Sequence, residues 1–497
     1  MTHKVHLVVL IHGLWGSPAH LLVAEEELEK AWAGSKTSQD ISGPSEDPTI
    51  TTRLTGVQSR SNGSSSRPTT KTKESVRQDG ELVIMIAGGM TSQLTYDGVD
   101  VCASRVAYEV DQKIKELQKD GKTVNKFSVM GYSLGGLVAR YLVGLLHSRQ
   151  PSFFDKHRPI SFSTISTPHY GIPKYNTLLS RVLSYLGARI MSRSGEQLYV
   201  ADNYSDEDQR PLLEIMADPR SIFYQGLEKF ERLEIYASAI NDHSVPYPTA
   251  TIEPVDHFAQ WEQRHISVDS DADGIIQSWS VREDDRTEKP KNGNKKGWGI
   301  KMGTLPPVLR YRFPFNYIIL LLFPIMLPLI VILILTRQSL DTRRSKHRLQ
   351  LLSQTSTSSE GSYHIPHPSG MSIQALRDGI RRIERSLESD LVENVPLDSP
   401  STSLFKSSSA LFPHDHQNPN SSAHEDIDLK IELKDSQMRM CLWLNQLPLE
   451  KYLTWWPEIG NAHATAIVRD PKQFPAHERG RGLIKLWAKN TLNAAKA

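Results

Sequence analysis

Seventeen residues, Asn125–Tyr141 (NKFSVMGYSLGGLVARY), restrict the fold more than any other stretch of this chain. Lys126–Met130 is short, apolar and β-rich, and reads as a buried strand. Gly131-Tyr132-Ser133-Leu134-Gly135 follows at once, and Gly136–Leu146 then carries apolar residues at helical spacing. Strand, G-x-S-x-G and helix in this order form a nucleophile elbow. The glycines have a steric purpose: a Ser in a strained turn needs small flanking residues so that strand and helix can approach closely. Gly131 and Gly135 are the elbow glycines. Ser133 Oγ is then held clear of the strand, where the helix N-terminus favours developing negative charge.

That motif predicts an α/β fold of the α/β-hydrolase kind, with a mostly parallel central sheet and a helical cap. A chain of 497 residues has room for one such domain and accessory segments. A net charge of +2 gives no basic field of the sort that nucleic acid requires. The two cysteines, Cys102 and Cys441, support neither a disulfide framework nor a thiolate metal site. No metal or cofactor is expected, and a cytosol-facing protein suits this cysteine usage. The N-terminal apolar run is only about five residues long before a His-Gly turn, which fits a core strand better than a secretory signal.

Val5–Ile11 predicts a strand buried on both faces, ending in His12-Gly13-Leu14-Trp15-Gly16. A His-Gly loop after an early strand supplies one oxyanion donor in this fold, so the backbone N–H groups of Leu14 and Leu134 are the expected pair. Residues 35–78 are rich in Ser, Thr, Gly and Pro and predict a disordered insert within a core spanning 1–286. Strands are expected at Glu81–Ala87, Ile160–Ile165 and Leu233–Ile240, and a helix at Val99–Leu117. Leu178–Ile190 and Pro211–Phe230 predict cap helices above the sheet. His169 reads either as a site-lining residue or as a polar turn.

The order of the triad in this fold is Ser, then Asp or Glu, then His. Asp242, just past the late strand, is the expected acid, with Asp256 in reserve. Its role would be to hold an imidazole tautomer and stabilise the imidazolium. Residues 287–312 read as a charged linker, and 336–426 as a disordered Ser-rich region. The apolar positions between 373 and 391 fit an amphipathic helix, lying either on an anionic surface or in a solvated linker. Globular composition returns at 427–497, which would complete the hydrolase core. A strand is expected at Leu429–Leu433, an aromatic-rich stretch at Met438–Pro457 and a terminal helix at Gly482–Leu492. His463 stands where a base after the last strand belongs, with His257, His265 and His477 competing.

At these residues the chain resembles the fungal serine esterases and lipases of lipid particles. The likeness rests on LVVLIHGLWGSPAHL, KFSVMGYSLGGLVARYLVGLL, FSTISTPHYGIP, YASAINDHSVPYPTA and MCLWLNQLPLEKYLTWWPEIGNAHATAIVRD, within 4–262 and 427–495. It implies lipase or phospholipase action on glycerolipids, with Ser133, Asp242 and His463 carried over. Such a protein would work at a membrane or at a lipid-droplet monolayer. One departure is visible: the residue before the nucleophile, usually His in that family, is Tyr132 here.

Phe313–Leu335 is apolar almost throughout, lacks charge and contains Pro324 and Pro328, so a membrane segment is expected there. Because Ser133 and Asp242 precede it and His463 follows it, a shared triad requires both flanks on one side. A re-entrant hairpin inserted before the last core elements is therefore the expectation. Lipid-droplet or endoplasmic reticulum membrane, with the catalytic domain facing the cytosol, follows as the expected location. Two other functions share this sequence pattern: a catalytically silent droplet scaffold, and an acyltransferase using the same Ser.

Overall fold

The computed structural model describes residues 3–40, 80–173, 191–205, 208–281, 336, 339–350, 431 and 433–495. Five of the expected strands, with an unexpected sixth at Leu449–Thr454, form a sheet in the order β2-β1-β3-β4-β5-β8, and every neighbouring pair is parallel. They are β1 (His3–Ile11), β2 (Glu81–Ile86), β3 (Lys122–Tyr132), β4 (Arg158–Ile165), β5 (Arg232–Ser238) and β8 (Leu449–Thr454). A separate antiparallel hairpin joins β6 (Ile266–Ser270) to β7 (Ile276–Val281). A parallel sheet must be covered on both faces, and it is. Along β1, Val5, Leu7, Val9 and Ile11 enter one core while Val8 and Leu10 enter the other. Alternation within one apolar run thus feeds two layers.

On the first face lie α2 (Val99–Lys119) and α3 (Leu134–His147), with the helix Ile222–Glu228 against α3. A Cβ at Gly144 would collide with Phe223, and one at Gly226 would come within 2.9 Å of Val143, so glycine on each helix sets how closely they pack. The expected 211–230 helix is two short ones, Leu212–Ile215 and Ile222–Glu228. On the second face, α1 (Leu22–Asp40) packs beside the C-terminal helix Arg481–Ala494. Leu21, Ala24 and Leu28 meet Leu483, Ile484 and Trp487 there, all fully buried. Each such Leu or Ile contributes about 1.5–3 kcal/mol by leaving water.

Three expectations need correction. Two stretches expected to be disordered are helical: the backbone of α1 runs to Asp40, into the start of the expected insert at 35–78, and residues 339–350 are helix within the expected 336–426 region, while 41–79 lies outside the described residues. The alternation at Leu429–Leu433 makes no strand at 431 or 433, because β8 takes the sheet position beside β5. The third correction concerns the membrane. Among the described residues no helix is long and apolar enough to cross one. The most apolar of the helices near the elbow, α3, has 14 residues. That is about 21 Å, against a hydrocarbon core of about 30 Å. It is buried all round because the sheet and its neighbouring helices cover it, not because it faces lipid. The fold is therefore an α/β-hydrolase described without a membrane-spanning element. The expected hairpin, the transmembrane reading and the lipid-droplet or endoplasmic reticulum placement built on it are not retained. Residues 313–335 and 373–391, where the hairpin and the amphipathic helix were expected, lie outside the described residues, as do 178–190.

Candidate active site

All sheet strands run the same way, so their C-terminal ends open onto one edge, where ligands bind in parallel α/β sheets. The loops after β1, β3, β5 and β8 carry the residues that meet there. Ser133 is the junction of β3 and α3, at φ 56° and ψ −126°. A left-handed φ is costly for a residue with a side chain, and tight surroundings hold it there. A Cβ at Gly131 would collide with Gly135 and Gly136, and one at Gly135 with the carbonyl oxygen of Ile11. The two elbow glycines thus permit the contact between α3 and β1 that fixes the Ser.

His463 follows β8 in the short helix Ala462–Thr465, whose Asn461 caps it by accepting from Ala464 N–H. Its Nε2 lies 3.1 Å from Ser133 Oγ, and its Nδ1 lies 2.9 Å from Asp242 Oδ2. The other Asp242 oxygen, Oδ1, accepts from the backbone N–H groups of Ser244 at 3.0 Å and Val245 at 2.8 Å. Those donors lock the carboxylate and leave Oδ2 for the imidazole. The Asn-Asp turn after β5 therefore aims the Asp242 carboxylate as well as ending the strand. Ser133, Asp242 and His463 are all buried, the Ser and Asp at 9% exposure and the His at 5%.

The loop after β1 presses on Ser133: a Cβ on Gly13 would sit 2.7 Å from Ser133 Cβ. Leu14 N–H and Leu134 N–H, next along these two loops, have no hydrogen-bond acceptor among the described residues. Unengaged amides beside the Ser are the chemistry an oxyanion needs.

Sequence reasoning singled out Tyr132 beside the elbow but found neither its partners nor Arg469. Tyr132 Oη donates to the backbone carbonyl of His463 at 3.0 Å and accepts from Arg469 Nη2 at 3.0 Å. The Tyr132 and His463 rings lie 5.0 Å apart. Burial pushes the Tyr132 phenol up, so it remains a donor. The departure from the usual His at 132 was the visible signal, but its partner lies 331 residues away.

The competing residues sit elsewhere. Asp256 accepts from Phe258 N–H at 3.1 Å in its own turn, and burial pushes its carboxyl up to about 6. His169 is a core residue at 3% exposure, with Nε2 3.1 Å from Thr164 Oγ1 and its carbonyl accepting from Arg140 Nη1 at 2.7 Å. Burial holds its imidazole neutral. His477 Nδ1 accepts from Asp470 N–H, and the His257 ring packs against Tyr247 and Trp279. Among the described residues no cluster of His, Cys, Asp and Glu could hold a metal ion.

Residues 1–47 and 61–253 match the family described as "Putative serine esterase (DUF676)". The span includes Ser133 and Asp242 and stops short of His463. Among curated proteins the chain is similar to "Putative lipase C4A8.10" of Schizosaccharomyces pombe, at 34% identity over 128 residues, which is 25% of this chain and 16% of the relative. It is also similar to "Putative lipase ROG1" of Saccharomyces cerevisiae, at 31% identity over 163 residues, 33% of this chain and 22% of the relative. "Putative lipase YDL109C" of the same yeast is 33% identical over 149 residues, 29% of this chain and 21% of the relative. The chain thus spans between 16% and 22% of the length of these relatives.

Proposed function

The chain belongs to the DUF676 serine esterase family, and from that premise we propose that it cleaves acyl esters of glycerolipids through an acyl-enzyme on Ser133. The observation that carries this reading is the continuous hydrogen-bonded path from Ser133 Oγ through His463 to Asp242, at 3.1 and 2.9 Å.

In this reading Ser133 Oγ attacks the ester carbonyl while His463 Nε2 takes its proton. Asp242 holds the Nδ1–H tautomer and offsets the imidazolium charge. The tetrahedral oxygen, now fully charged, accepts from Leu14 and Leu134 N–H, donors that need no reorganisation as charge develops. When the intermediate collapses, His463 returns the proton to the departing alcohol. Water then enters, gives a proton to the same nitrogen and attacks the acyl-enzyme, releasing the fatty acid and restoring Ser133. Glycerolipid as the substrate class rests on the relatives' lipase names.

The test is direct. Purified protein and its Ser133→Ala form are treated with a fluorophosphonate probe and with mixed glycerolipids, and the products are separated. Labelling and fatty-acid release by the parent alone are expected. Equal labelling of both forms, or no release, would sink the proposal, and an acylated alcohol in place of free acid would reassign the chemistry to acyl transfer.

A further inference from the structure

The helix at 339–350 grips the turn that holds the oxyanion loop. Trp15, immediately after Leu14, sits at φ 54°, a backbone state costly for an aromatic residue. It stays there because its neighbours hold it from outside the loop. Trp15 N–H donates to Thr95 Oγ1 at 3.2 Å, and Trp15 Nε1–H donates to Tyr96 Oη at 2.7 Å. Gly16 closes the same loop by accepting from Ser92 N–H at 2.9 Å. All three contacts come from one 3-10 turn, Ser92–Tyr96. The direction of the Leu14 amide is therefore set by where this turn sits.

Asp97 ends that turn, and its carboxylate is fully buried. Arg105 of α2 pairs with its Oδ2 at 2.6 Å. The remaining donors come from the far side of residues 282–335. Ser345 Oγ donates to Asp97 Oδ1 at 2.6 Å, and Arg348 reaches Oδ1 through Nη2 at 2.7 Å and Oδ2 through Nε at 3.2 Å. The same Nη2 donates to the Gln93 carbonyl at 3.2 Å, so Arg348 spans both ends of the turn. Ser345 is fully buried and also accepts from Ser192 Oγ at 3.3 Å. A buried carboxylate shared by two guanidinium groups and a hydroxyl is a rigid joint, because losing any donor strands charge in a dry site.

We propose that residues 339–350 form a positioning strap: Arg348 and Ser345, through Asp97 and the Ser92–Tyr96 turn, hold Trp15 so that Leu14 N–H faces the oxygen that becomes charged at Ser133. The inference rests on the hydrolase reading for its consequence and on the contacts alone for the coupling. It makes oxyanion stabilisation depend on a segment beyond the family-matched region. Arg348 and Ser345 touch no reacting atom.

The full chain is compared with Arg348→Ala, Arg348→Lys and the exposed control Arg343→Ala. Amide hydrogen exchange is followed in peptides covering 13–16 and 92–97, and steady-state hydrolysis of p-nitrophenyl butyrate is measured across pH. In Arg348→Ala, exchange at 13–16 should quicken and kcat should fall roughly 10-fold, less than the roughly 100- to 1,000-fold cost of losing an oxyanion donor outright. KM and the pH profile should not move, since neither acyl binding nor His463 is touched. Arg348→Lys should recover part of the loss by keeping the charge without the second contact. Arg343→Ala should match the parent. If Arg348→Ala does not fold, Ser345→Ala serves in its place with the same expectations. Unchanged exchange at 13–16 overturns the proposal, as does unchanged kcat in an active protein. A parent that neither hydrolyses the ester nor labels at Ser133 would sink the hydrolase reading, while the exchange result still decides the coupling.

Discussion

Tyr132 Oη holds the backbone carbonyl of His463 at 3.0 Å, so the residue before Ser133 also fixes the loop that carries His463. In Tyr132→Phe the ring packing survives and the carbonyl loses its donor. Arg469 also loses an acceptor, and its Nε is already buried without a partner. Stability should drop by about 1–3 kcal/mol, the usual cost of stranding buried polar atoms. Turnover should fall about 3- to 10-fold with KM little changed, because orientation rather than binding is loosened. Urea unfolding and steady-state kinetics check both.

Asp242→Asn keeps the shape of the acid and removes its charge. The amide can present N–H where the imidazole needs an acceptor, which favours the wrong tautomer. If Asp242 is the acid, a loss in kcat on the order of 10,000-fold is expected, the size that removing this charge has in Ser-His-Asp enzymes. Fluorophosphonate labelling should slow in parallel, and circular dichroism should be unchanged. Rapid labelling of this variant would show that Asp242 is not the acid.

Gly135→Ala should not give folded protein. The new Cβ would collide with backbone carbonyls of Ile11 and His12, which cannot swing aside as a flexible side chain could. Overpacking against a movable core costs about 1–3 kcal/mol, and here the obstacle is the central sheet itself. Soluble expression and thermal melting are the readouts. A variant melting near the parent would mean the elbow is looser than these contacts imply.

Acid should destabilise the fold below about pH 6.5, the free-histidine value. Burial lowers the His6 pKa to about 3, with Lys126 adding to the effect, and burial also lowers His12 and His169. Between those values and 6.5 the unfolded chain binds protons that the folded chain refuses, so stability falls as pH falls. His6→Gln should lessen the difference between urea midpoints at pH 7.5 and pH 5. Glu234 works in the opposite sense. Burial pushes it up to about 7 against the pull of Arg232, so its folded form holds a proton that the unfolded form releases. It therefore favours the fold toward acid and loses that contribution as pH rises to about 7. Glu234→Gln should steepen the loss of stability in acid.

Much of the site was legible locally. The elbow reads from 17 consecutive residues, and Asp242 and His463 follow from strand order and turn chemistry. Each β-strand of the main sheet before 240 showed as an apolar run. α1 did not, because its charged positions and the Ser-rich stretch behind it obscured the spacing of Ala24 and Leu28. At 431 and 433, the described part of Leu429–Leu433, the alternation made no strand, since pairing depends on neighbours far along the chain.

The apolar run at 313–335 lies outside the described residues. Its composition suggested a hairpin, and no described helix has the length and apolarity to span a bilayer. What the sequence alone determined is the chemistry available: a Ser in a strained turn, an acid after a late strand and a His near the end. Such features are set by contacts within a few residues, which composition and spacing encode. Only the tertiary structure decided that Tyr132 holds His463, that Gly13 presses on Ser133, and that Arg348 secures Asp97. Those partners lie far apart along the chain, and nothing in local spacing records which distant side chain will fill a given gap.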